Sequence, residues 1–203
     1  PLFELTQTKG QSESHPTLSP TDEFASWDMW DRGNLNGTAK KHEMLRTEYW
    51  REALKSGLRL EASLGANPFK YGANAATDTH TALATADEDN FWGKFTGAEP
   101  SPTRWKPAMI GAGQPGQIYS WEQASSGYTG VWATSNTRAA LFEAMKRRET
   151  FATSGPRMSV RFYGGYDFSD ADTADLVKAG YSKGVPMGGD LKAAPEGKAP
   201  VFL

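Results

Sequence analysis

The chain has 203 residues, and its 24 acidic and 22 basic side chains leave a formal net charge of -2, so it lacks the broad basic field that nucleic-acid binding requires. It contains no cysteine, which removes disulfides, thiolate nucleophiles and cysteine-based zinc sites together. With 38% hydrophobic and 12% aromatic residues it has the composition of a globular protein, and no apolar run approaches the roughly 20 residues of a membrane-spanning helix.

The N-terminal "PLFEL" alternates as a strand does, and so does the closing "APVFL". Because domains more often begin and end in polar, exposed segments, the chain is expected to be cut from a longer protein. The start lacks the basic and apolar regions of a signal peptide, and the compartment stays open between periplasmic or exported and cytoplasmic. A long turn-rich loop follows, broken by Pro16, Pro20, Gly33 and Gly37. Within it "SPTDEFASWDMW" has the caps for a short helix, with Ser19 or Thr21 at its start.

From His42 to Leu64 the pattern predicts one helix, with Leu45, Tyr49, Ala53, Leu54 and Leu58 on its apolar stripe and Gly65 and Pro68 ending it. "FKYGANAAT" reads as a buried strand leading to Asp78. A proline- and glycine-rich excursion or lid is expected over about 97–127. "TSNTRAALFEAMKRRE" is the clearest helix, capped by Thr134 or Ser135 and buried through Ala140, Leu141, Ala144 and Met145. "RMSVRFYG" then alternates as a strand, and residues 161–203 read as a β-rich C-terminal segment.

Asp78 and His80 are one residue apart. At the C-terminal end of a strand, positions i and i+2 project to the same side, so a carboxylate and an imidazole converge, a donor pair suited to zinc, manganese or iron. The first strand carries Glu4, and Glu13 and His15 follow in its loop. In a barrel of parallel strands such ends share one face, so two segments would supply one site.

Three groups of motifs carry a resemblance: "PLFELTQTKGQSESHP" with "SPTDEF", then "NPFKYGANAATDTHTALATADEDNFWGK", then "GVWATSNTRAALFEAMKRRETFATSGPR" with "GYSKGVPMGGDL". Spread over nearly the whole chain, they resemble the large bacterial family called domain of unknown function 3604. The resemblance implies a PHP-like metallohydrolase, an irregular β/α barrel with metals at the strand C-termini, to which residues 1–160 would contribute. It implies that Asp78 and His80 match the last metal-binding motif and Glu4 an earlier strand-end acid. It leaves open whether His15 or Glu13 fills the next position, as ligand or general acid/base. The early H-x-H motif of such sites is absent, so the remaining part of the same protein is expected to supply it.

Together these observations predict a metal-dependent hydrolase of a small-molecule ester, with a phosphoester the first expectation. Divalent metal ions would be the cofactor, acidifying water and stabilising charge on phosphoryl oxygens. Arg157, in the turn "TSGPR" with Ser154 and Gly155, is the candidate for oxyanion binding, ahead of Arg138 and Arg148. Asp87, Glu88 and Asp89 could orient His80 or attract a cation. His42 reads as a solvated histidine. "GAGQPG" matches a nucleotide-binding glycine pattern but lacks the strand and helix that give it meaning. Seven tryptophans, Trp27, Trp30, Trp50, Trp92, Trp105, Trp121 and Trp132, sustain an alternative: a carbohydrate-binding or structural module without catalysis.

Overall fold

The computed structural model describes residues 1–80, 101–123, 127–154, 156–195 and 197–203. In chain order the elements are β1 (Leu2–Gln7), β2 (Gly10–Gln11), a 3-10 helix (His42–Thr47), α1 (Trp50–Leu64) and β3 (Gly72–Ala75). Then come β4 (Ala108–Ile110), β5 (Ile118–Tyr119), β6 (Thr129–Val131), α2 (Arg138–Lys146) and β7 (Thr150–Ala152). The last are β8 (Tyr163–Gly165), α3 (Leu176–Lys183), β9 (Gly184–Pro186) and β10 (Val201–Phe202).

The central feature is the parallel pairing of β1 with β3, Leu2 opposite Gly72 and Thr6 opposite Ala75, with α1 in the crossover between them. A bulge between Glu4 and Thr6 shifts the register. On its other side β3 meets the antiparallel β6–β7 pair through threonine side chains. The Thr150 hydroxyl donates to the Ala73 carbonyl at 2.6 Å, and the Thr129 hydroxyl donates to the Ala75 carbonyl at 2.7 Å while accepting from its N–H at 3.0 Å. Small residues in β3 permit this approach. A Cβ on Gly72 would lie 2.8 Å from both Leu2 Cδ2 and Arg148 Cβ, closer than real contacts allow. Leu5, Ala73 and Ala75 are buried where these strands meet, Leu45 is buried, and Tyr49 is buried against His15 of β1's loop.

The single helix expected over 42–64 is two. Tyr49 is extended (φ -116°, ψ 138°) and buried beside His15, their ring centroids 5.4 Å apart. The first N–H groups of α1, which no turn of the helix can satisfy, find partners in the β1 loop instead: Trp50 donates to Ser12 O at 2.8 Å and Arg51 to Glu13 O at 3.1 Å. The chain therefore breaks at Tyr49 to bury a ring and fasten α1 to that loop. Its end is as expected, Gly65 adopting the left-handed conformation at φ 73°.

Other expectations are corrected locally. Residues 19–30 form turns rather than a helix, the Asp22 side chain accepting from the Phe24 N–H at 2.9 Å. Helix α2 is capped by Thr137, whose hydroxyl accepts from the Ala140 N–H, not by Thr134 or Ser135. Only Ala144 of its expected inner face is buried, and Met145 is exposed. In "RMSVRFYG" the strand begins only at Tyr163, because Met158, Val160 and Phe162 are exposed and no strand pairs with them among the described residues. The C-terminal segment holds helix as well as sheet: the antiparallel order β10-β8-β9 is covered by α3, whose Gly180 lies against the Tyr163 ring. Gly111 to Gly116 form the turn joining β4 to β5, so the glycine pattern opens no helix.

Candidate metal centre

Past the last residue of β3 the chain runs through Ala76 and Thr77 to Asp78, which takes a left-handed conformation at φ 51°. Aspartate is among the few residues that tolerate this, and strained backbone concentrates at functional positions. The turn brings the side chains at i and i+2 together: His80 Nε2 lies 3.1 Å from Asp78 Oδ1. The other carboxylate oxygen faces the ammonium of Lys9, two residues beyond the end of β1. Parallel pairing of β1 with β3 is what sets these two strand ends side by side. Asp78 is mostly covered and His80 half exposed.

The other predicted residues do not join this pair; among the described residues no group of three histidine, aspartate or glutamate side chains is arranged to hold a metal. Glu4 is exposed and accepts from Gln7 Nε2 at 3.1 Å. It lines a cavity of about 210 Å³ together with Lys9, Gln7, Trp30, Asn34 and Lys40. Glu13 is held by Arg51, which donates to its Oε1 from Nε at 3.1 Å and from Nη2 at 2.6 Å, and which also reaches Asp22 Oδ2 at 2.5 Å. Asp22 titrates below the usual carboxylate range because the Phe24 N–H and Arg51 stabilise its charge.

His15 is 6% exposed, and both of its ring nitrogens are engaged. Nδ1 accepts from the Thr17 N–H at 3.2 Å and lies 2.8 Å from the Thr17 hydroxyl, while Nε2 faces Asp31 Oδ2 at 3.4 Å. The backbone donor at Nδ1 assigns the proton to Nε2. In this arrangement the imidazole organises its loop and offers no lone pair to a metal.

Arg157 lies over the Tyr128 ring, its guanidinium carbon 4.5 Å from the centroid. Arg148 is structural: it donates to the carbonyls of Gly188 and Lys70 and pairs with Asp190. Arg138 and His42 are exposed. Asp87, Glu88, Asp89, Trp92 and Gly155 lie outside the described residues. Three indoles, Trp27, Trp105 and Trp121, are more than half exposed, and no two indoles stack among the described residues.

A family model for proteins of unknown function, DUF3604, matches residues 1–203, the whole chain. The chain belongs to the DUF3604 family. No curated protein and no solved structure matches it.

In this DUF3604 chain the spacing of the Asp78–His80 pair bears on which coordination geometry it could serve. Two donors at about 2.0–2.2 Å from one ion lie about 3.3–3.6 Å apart in the tetrahedral geometry of zinc and about 2.8–3.1 Å apart in an octahedral one. The 3.1 Å between Asp78 Oδ1 and His80 Nε2 is a hydrogen-bond length, inside the octahedral spacing and short of the tetrahedral one. Asp78 and His80 set an oxygen and a nitrogen donor side by side, joined to each other by a hydrogen bond that a metal would have to replace, and the described residues supply no third donor. Sequence reasoning did not find Lys9, the cation beside Asp78, nor Asp31 and Arg51, the partners of His15 and Glu13. For Lys9 a signal existed: two parallel strands ending together put the chain just after β1 next to the chain just after β3.

Proposed function

We propose that this chain carries part of the active site of a metal-dependent hydrolase, acting on a small-molecule phosphoester, within a PHP-like β/α barrel. The observation that carries the reading is the 3.1 Å approach of His80 Nε2 to Asp78 Oδ1 on a left-handed Asp78, in the turn that follows parallel strand β3. Asp78 and His80 would hold zinc, manganese or iron, with Glu4 a further acid lining the same cavity as Lys9. The remaining ligands, the early H-x-H among them, would come from another part of the same protein. When bound, the ion would supply Lewis acidity, acidifying water and drawing charge from the phosphoryl oxygens.

The chain's own residues have separate tasks. Asp78 and His80 orient their donors from one turn. Lys9 neutralises the second carboxylate oxygen and, once released from it, is a cation within reach of an anionic substrate. Arg157 would add a second cation on the side of β7. Elemental analysis of the full-length protein with a phosphoester screen tests the reading: metal at one or more equivalents and hydrolysis, both lost in Asp78→Ala, is the expected result. Unchanged hydrolysis in that variant would sink the assignment.

The exposure of Trp27, Trp105 and Trp121 favours a second reading, a carbohydrate-binding module without catalysis. Retention on a glycan array, together with a metal-free full-length protein, would favour it over the hydrolase.

A further inference from the structure

A second cavity, of about 450 Å³, opens where β1 and β7 end. That volume lies within the range of small-molecule sites. Leu5, Ala152 and Pro156 give it apolar walls, and Phe24, Trp27 and Met158, all largely exposed, form its rim. On one wall Arg51 bridges Glu13 and Asp22. Two carboxylates against one guanidinium leave that wall with a formal charge of -1, which disfavours an anion.

The hydrogen-bonding capacity of this wall is not used up. Arg51 takes Glu13 Oε1 twice, and Oε2 has no partner among the described residues. Asp22 is saturated by comparison, one oxygen taking the Phe24 N–H and the other Arg51. A free carboxylate oxygen beside an apolar chamber selects an O–H or N–H donor, and the bond is charge-assisted. A second unused group lies on the cavity lining: Thr6 is 3% exposed and its hydroxyl has no partner among the described residues. The rim has an indole, a phenyl ring and a thioether, which hold a flat aromatic body face-on or edge-on.

We propose that this cavity binds an uncharged aryl alcohol, its ring between Phe24, Trp27 and Met158 and its hydroxyl donating to Glu13 Oε2. The cavity and the Asp78 turn share the same strand ends, since Thr6 on the cavity lining pairs with Ala75 of β3, which leads to Asp78. The aryl alcohol is then the alcohol half of the ester. That assignment rests on the hydrolase reading; the binding itself does not.

The test is isothermal titration of the full-length protein with 4-methylphenol, 4-methylanisole and 4-methylbenzoate. The first keeps the donor, the second lacks it and the third replaces it with an anion. Saturable one-to-one binding of 4-methylphenol is expected, about tenfold tighter than either analogue, as a hydrogen bond to a charged acceptor implies. Phe24→Ala, at a rim position too exposed to threaten folding, should weaken it about fivefold. Glu13→Gln keeps an acceptor for Arg51 and should remove most of the preference for the phenol over the anisole. Absence of saturable binding, equal affinity for phenol and anisole, or unchanged binding in Phe24→Ala would each overturn the proposal. Binding without any phosphoester hydrolysis would sink the hydrolase reading and leave this site; Asp78-dependent hydrolysis without binding would do the reverse.

Discussion

Lys9 and Asp78 are 69 positions apart in the chain, yet the ammonium of one faces the carboxylate of the other because β1 and β3 run parallel and end together. A divalent ion approaching Asp78 therefore meets a cation already in place. Lys9→Met should raise zinc affinity about tenfold by removing that charge, measured by competition with a chromophoric chelator. Lower affinity in the variant would mean that Lys9 supports the ion rather than competing with it.

His80 is half exposed and sits at the rim of the turn, its ring against Asp78, so its loss should be nearly silent in stability. His80→Ala is expected to shift unfolding by no more than about 0.5 kcal/mol, as surface substitutions do. Zinc affinity should fall by at least about a hundredfold, since one of two local donors is gone. Equal affinity would remove His80 from the ligand set.

Asp28 predicts a pH dependence. Burial pushes its carboxyl above the ordinary 3.8, a hydrogen bond with Trp27 opposing the rise in part. Between 3.8 and that raised value the folded chain holds the proton that the unfolded chain has released, so this group makes stability fall as pH rises through the window. Asp28→Asn keeps a residue that accepts the local φ of 47° and removes the penalty. Urea unfolding should show a gain at neutral pH that vanishes below the window. A gain that persisted in acid would point to a cause other than the charge.

Gly180 lies inside α3, where alanine would ordinarily gain about 1 kcal/mol of helix propensity. A Cβ there would come within 2.4 Å of the Tyr163 ring, which is fully buried. Gly180→Ala should therefore destabilise by about 1–3 kcal/mol despite the propensity. Thermal unfolding decides the sign, and a stabilised variant would show that α3 is free to move off β8.

Much of this architecture was legible locally. The end of α1 at Gly65, the body of α2 and the strand character of β1 come from caps and periodicity. Strand alternation predicts the approach of Asp78 to His80, but a left-handed turn three residues past β3 produces it. The features that escaped depend on partners distant in sequence. The break at Tyr49 exists because Ser12 and Glu13 offer carbonyls to α1, and nothing between 42 and 64 encodes that. Strand β7 is three residues long and is joined to β3 by a threonine hydroxyl, so alternation could not reveal it. The pairing of His15 with Asp31 depends on how a turn-rich loop folds back, which composition does not specify.

Arg148 joins three stretches of chain made at different times. Its carbonyl partners are Lys70, 78 residues earlier, and Gly188, 40 residues later. While the chain is being synthesised, the end of α2 can lean on the segment already folded around β3, but its guanidinium stays half-satisfied until Gly188 and Asp190 emerge. The left-handed turn at Arg148 is thus a late lock, closed by the C-terminal segment. A nascent chain stopped before residue 188 would lack the Arg148 bonds to Gly188 and Asp190, the clasp that ties the end of α2 to the segment after β9.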